Sequence, residues 1–122
     1  MATHRAVYVS AYGPGVYANY LQLVKVVGGT ASDIHRGDAN GNRMRITAQH
    51  WTTNQSYDAY NGTTLSGQVI HAPSTTSAVT IKMQFKSNST SHEAFVNRMQ
   101  SYGDSTSMGT CVSNISVVEL GA

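Results

Sequence analysis

At 122 residues the chain has the size of one domain, and a hydrophobic content of 40% allows a single modest core. Only 11% of residues are charged and the formal net charge is +2, with Lys and Arg scattered rather than clustered, which argues against nucleic acid as a partner. The one cysteine, Cys111, excludes an internal disulfide, residues 1–10 lack the features of a secretory signal, and no segment approaches the about 18 apolar residues of a membrane span.

In chain order, a short arm over residues 1–5 leads into a candidate strand over 5–12. Residues 17–27 form a longer run, apolar enough to be buried on both faces as a central strand. Residues 43–50 alternate, with Met44, Ile46 and Ala48 on one face and Arg43, Arg45, Thr47 and Gln49 on the other, predicting a core strand. A further candidate covers 65–71. The clearest signal is 78–86, where Val79, Ile81, Met83 and Phe85 alternate with Thr80, Lys82, Gln84 and Lys86. Residues 93–99 are a weaker candidate, and 112–120, β-branched and rich in small polar residues, reads as another central strand.

Between these runs stand Gly13-Pro-Gly15, Gly28-Gly29, the stretch 38–41, Asn61-Gly62, the stretch 73–76 and the stretch 87–90, all composed of turn formers. No helix is required; the one competitor, 92–100, is too short to stand alone. The expectation is an all-β, single-domain antiparallel β-sandwich, jelly-roll-like, with about seven or eight strands.

The residues that could carry chemistry are dispersed. His4, His35, His50, His71 and His92 lack the spacing of a zinc site, and the turn at 38–42 lacks the closing Glu of a calcium loop, so no metal or cofactor is expected. Arg36-Gly37-Asp38 spells an integrin-ligand tripeptide but reads as a surface turn. Gly103-Asp104-Ser105 lacks the surrounding glycines and partners of a hydrolase nucleophile, and Asp33, Asp38, Asp58, Glu93, Asp104 and Glu119 form no acid/base pair. Cys111 has no second cysteine beside it and reads as an inert thiol. The sequons at Asn54, Asn61, Asn88 and Asn114 carry no weight without an export signal. Aromatic residues near loops are more informative, because they can anchor a protein interface or stack on sugars. Tyr12, Trp51, Tyr57 and Tyr60, with Asn54 and Asp58 beside them, are therefore the candidate contact residues for a partner or a glycan.

Taken together, LQLVKVVGGT at 21–30, GDANGNR at 37–43, APSTTSAVTIK at 72–82, FVNR at 95–98 and VSNISVVEL at 112–120 resemble, in that order, a β-domain of tailed-bacteriophage structural proteins. The resemblance spans about residues 20–120, and in longer relatives the domain stands at the C-terminal end of tail-fibre or virion structural proteins. A free-standing domain of this kind resembles a capsid decoration, or cement, protein. The resemblance implies a protein made in the host bacterial cytoplasm and placed on the capsid exterior. Its partner would be the major capsid protein, and it would act as a homo-oligomer with a trimer favoured. Avidity over a repeated lattice would let individually modest contacts suffice. The alternative is a tail-fibre or spike receptor-binding tip, lectin-like, reading a glycan with the aromatic loop residues. An enzyme such as a depolymerase would need a positioned acid/base pair that the sequence does not display.

Overall fold

The computed structural model describes residues 4–13, 18–51, 63–88, 90, 94–98, 106 and 109–121. These form seven strands and no helix: β1 (His4–Gly13), β2 (Ala18–Val27), β3 (Thr30–His35), β4 (Ala48–Trp51), β5 (Thr63–His71), β6 (Val79–Ser87) and β7 (Asn114–Leu120). They make two antiparallel sheets packed together, the β-sandwich that alternation and turn spacing predict. One sheet has the order β5-β1-β7; in the other β2 is central, with β6 along one edge and β3 and β4 end to end along the other. The chain crosses between sheets from β1 to β2, β4 to β5, β5 to β6 and β6 to β7.

The core forms where the inward faces of the two central strands meet. Val7 and Val9 of β1 pack with Leu21 and Leu23 of β2 and with Leu65 of β5. Around them Ile34, Ala48, Val69, Ile81, Met83 and Phe85 are partly buried. The alternation read along β6 holds residue by residue, with Val79, Ile81, Met83 and Phe85 half-buried and Thr80, Lys82, Gln84 and Lys86 exposed. β2 is central and apolar on both faces, since Leu21 and Leu23 are buried on one side and Val24 on the other.

Gly28 and Gly29 close the β2–β3 hairpin with φ of +56° and +82°, and Val27 faces Thr30 across the turn. Two consecutive positive φ values define the primed two-residue turn whose twist suits flanking strands, and only glycine enters it without steric cost. That turn creates β3. Thr30-Ala-Ser-Asp-Ile-His35 has no alternation to announce a strand, and sequence reading passes over it.

β3 also explains why the predicted strand over 43–50 is shortened to Ala48–Trp51. β3 pairs with Leu23 to Val27 of β2, so the remainder of that edge is open only beside Ala18 to Leu21, where β4 docks. Upstream, Arg43 donates its N–H to the Asn40 carbonyl at 3.2 Å in a turn, and Gly37 donates to the Ile46 carbonyl at 3.2 Å. Met44, assigned to the core by its period, is consequently exposed, and Ile46 is half-buried outside the core cluster.

Thr47 seals the junction between β3 and β4. Its N–H donates to the Leu21 carbonyl at 3.0 Å, and its Oγ1 accepts the Leu23 N–H at 2.9 Å while donating to the His35 carbonyl at 2.5 Å. Gln22 Nε2 adds bonds to the carbonyls of Leu23 at 3.0 Å and His35 at 3.2 Å. Without these side chains the register shift between Leu23 and Val24 would leave main-chain groups unpaired. The Thr47 methyl lies against the other sheet, where a Cβ on Gly67 would stand 2.8 Å from Thr47 Cγ2.

Two further expectations are corrected. The strand over 112–120 is β7, which pairs only with β1 among the described residues and is an edge strand with six of its seven residues exposed. The candidate over 93–99 contains only an isolated bridge at Ala94 followed by bends at 96–98; residue 93 and residue 99 lie outside the described residues. There Phe95 is buried, and Asn97 has φ of +63° while its carbonyl accepts the Cys111 N–H at 2.9 Å. β1 begins at His4, so only 1–3 of the supposed N-terminal arm precede the sheet, and they lie outside the described residues.

Candidate functional site: two outer faces of the sandwich

Of the predicted contact residues, Trp51 closes β4 opposite Ala18 and is 53% exposed. Tyr12 stands near the end of β1 opposite Thr64, and because β1 leads directly into β2, it shares an end of the sandwich with Trp51. Asn54, Tyr57, Asp58 and Tyr60 lie outside the described residues.

At that same end the inner face carries Asn19 and, directly opposite it, His50. Asn19 is 2% exposed, and neither its amide nitrogen nor its amide oxygen has a partner; His50 Nε2 is likewise buried without one. A buried amide left unpaired costs free energy, so this is a weak point of the inner face rather than a source of stability. His71 Nε2, toward the other end, is also buried and unpartnered. Burial holds the His71 imidazole below its ordinary pKa, and the positive charges of Lys25 and Arg5 push in the same direction. His71 and Arg5 are cross-strand neighbours, with Glu119 on the far side of Arg5.

Among the described residues no group of three or more His, Cys, Asp or Glu could hold a metal ion. The Arg36-Gly37-Asp38 tripeptide is exposed but tied down: Arg36 Nη1 meets the Asp33 carboxylate at 3.1 Å, and the Gly37 carbonyl accepts Arg45 Nε at 2.7 Å. Cys111 is half-buried.

Two surfaces stand out instead. On the outer face of the β5-β1-β7 sheet, Ile70 and Val118 flank Ala6 in one cross-strand row, and Gln68 and Ser116 flank Tyr8 in the next. Ile70 is 67%, Val118 50% and Tyr8 47% exposed, and on the β1–β5 side a hollow of about 220 Å³ is lined by Ala6, Tyr8, Gln68, Val69 and Ile70. Apolar exposure continues around β7, whose inner-face residues Ile115 and Val117 are exposed as well. The signal for this surface is in the sequence: the doublets Val69-Ile70 and Val117-Val118 break strict alternation and place apolar groups on both faces of their strands.

The second surface is a groove of about 500 Å³ on the outer face of the other sheet. Tyr20 and Gln22 of β2 and Gln84, Phe85 and Lys86 of β6 line it together with Met44, Arg45 and Ile46 from the stretch ahead of β4. Among the described residues its lining holds two cations and no carboxylate. Lone residues from three segments compose it, so no local motif in the chain announces it.

No family model matches the chain, and no curated protein or solved structure matches it significantly. The fold therefore stands on its own registers and core, and the function on the chemistry of these two faces.

Proposed function

We propose that the protein is a structural component of a tailed-phage particle, a decoration or cement protein that binds the major capsid protein on the outside of the shell. The observation that carries the reading is the open apolar face of Ile70, Tyr8 and Val118, continuous with the side of β7 that pairs with no strand among the described residues. Apolar side chains gathered on one sheet face are what a protein-binding surface requires. The partner suited to it is a protein wall that repeats the same neutral, apolar contact many times. A symmetric oligomer, a trimer at local threefold positions, would then gain avidity from several shell subunits at once. The ordered sequence blocks resembling phage structural β-domains support the same reading.

Quantitative mass spectrometry of purified particles tests it. Copies numbering in the hundreds, as lattice symmetry would impose, are expected; absence from the particle overturns a virion role. A handful of copies moves the protein to the tail, where the second reading, a lectin-like receptor-binding tip, is favoured by the exposed Trp51 indole at the close of β4. A glycan array separates that reading from the first.

A further inference from the structure

We propose that the groove on the outer face of the β2–β6 sheet is a binding site for an acidic saccharide, a sugar chain bearing carboxylates. The proposal does not depend on where the protein sits in a particle. It starts from Arg45, whose Nε is held by the Gly37 carbonyl at 2.7 Å, so the guanidinium is fixed by one nitrogen while its two Nη groups make no bond among the described residues. Lys86 lines the same groove, and neither cation enters an ion pair among the described residues. A fixed guanidinium with unused donors matches the planar, two-oxygen geometry of a carboxylate, and a second cation nearby strengthens the preference for negative charge.

The rest of the lining describes the body of the ligand. Gln22 is anchored through Nε2 to two main-chain carbonyls, which orients its amide and leaves Oε1 as an acceptor; Gln84 and the Tyr20 hydroxyl add donors and acceptors. Met44 supplies an apolar wall. Polar groups that both donate and accept, beside the rings of Tyr20 and Phe85, suit the hydroxyls and the apolar face of a pyranose. A volume near 500 Å³ lies within the range of small-ligand sites. An extended peptide is a poorer match, because it would look for main-chain partners. The groove floor is the face of paired strands β2 and β6, whose main-chain groups are spent on each other.

The test uses the full chain, labelled with nitrogen-15 and titrated with tri-galacturonate, with its methyl ester, with neutral galactotriose and with triglutamate, followed by amide chemical shifts. The free acid is expected to shift amides at 20–22, 44–46 and 84–86, and to bind at least about tenfold more tightly than the ester or the neutral sugar, since loss of a charge-assisted contact is worth about that factor. Arg45→Gln should weaken binding about tenfold and Lys86→Gln a few-fold. The ester comparison needs no variant, so it stands even if Arg45→Gln disturbs the loop through Gly37. Equal binding of acid and ester, shifts centred elsewhere, absence of binding, or triglutamate competing as well as the sugar acid would each overturn the proposal.

Discussion

Strands β2 and β7 are both apolar on both faces, yet Leu21, Leu23 and Val24 are buried while Ile115, Val117 and Val118 stand exposed. The residues differ little in kind; the surroundings differ in coverage. β2 has a partner along each edge, and Thr47 and Gln22 supply hydrogen bonds at the one place where those partners leave a gap. Among the described residues β7 has one partner, β1, and six of its seven residues are exposed. A strand apolar on two faces therefore signals coverage without saying who provides it. For β2 the cover is this chain's own fold, and for β7 the proposed cover is another protein.

The sharpest way to test that contrast is to truncate one side chain on each strand. Leu23→Ala should cost about 3–5 kcal/mol, because it removes a fully buried side chain from the centre of the core. Val117→Ala should cost about 0.5 kcal/mol or less, since that side chain is already in the open. Urea melts of the two variants decide the matter, and similar midpoints would mean that β7 is covered in solution.

A smaller effect probes the closeness of the two sheets. Gly67→Ala puts a Cβ 2.8 Å from the Thr47 methyl, an overlap that should cost about 1–3 kcal/mol. Thr47→Ser keeps the hydroxyl that accepts from Leu23 and donates to His35 but removes the methyl. The double variant should accordingly be more stable than the sum of the single changes predicts, by about 1 kcal/mol. Strict additivity in a double-mutant cycle would show that Gly67 is small for some reason other than Thr47.

How much of this was legible in the chain follows from where the information lies. β6 was readable because a half-covered strand writes its own period, Val79 through Phe85 inward and Lys82 through Lys86 outward. β3 was not, because its place depends on Gly28 and Gly29 folding it back on β2 rather than on its own residues. The start of β4 departs from the alternation over 43–50 for the linked reason that β3 takes the edge on which residues 43–46 would pair. Trp51 is legible only as an aromatic near a loop, its exposure coming from the structure, and the doublets Val69-Ile70 and Val117-Val118 do not by themselves reveal the apolar face around Ile70, whose residues come from three strands and converge through the registers of β1 with β5 and β7.

His71 adds a pH dependence to the same sandwich. Its folded pKa lies below the ordinary value of 6.5, so above that value both folded and unfolded chains carry a neutral imidazole and the residue is without effect on stability. As pH falls below 6.5 the unfolded chain takes up the proton first, and stability declines until the folded pKa is reached. Thermal melts from pH 8 to 5 should show this decline, and His71→Gln should flatten it. An unchanged slope in the variant would assign the acid sensitivity to other groups.

The smallest expected effect on the isolated chain carries the most functional weight. Val118→Ser alters a side chain that is half exposed on the outer face of an edge strand, so the melting midpoint should move by less than about 0.5 kcal/mol in free-energy terms. If that face seats the protein on a capsid wall, the same change loses an apolar contact at every copy, and avidity multiplies small losses over the subunits engaged. Particles assembled with Val118→Ser should then carry fewer copies than those assembled with the wild-type chain, although the variant folds as well. A core substitution cannot give that pairing of outcomes, because it lowers stability and occupancy together. Full occupancy with Val118→Ser would move the seat away from this face and toward the end of the sandwich marked by Trp51.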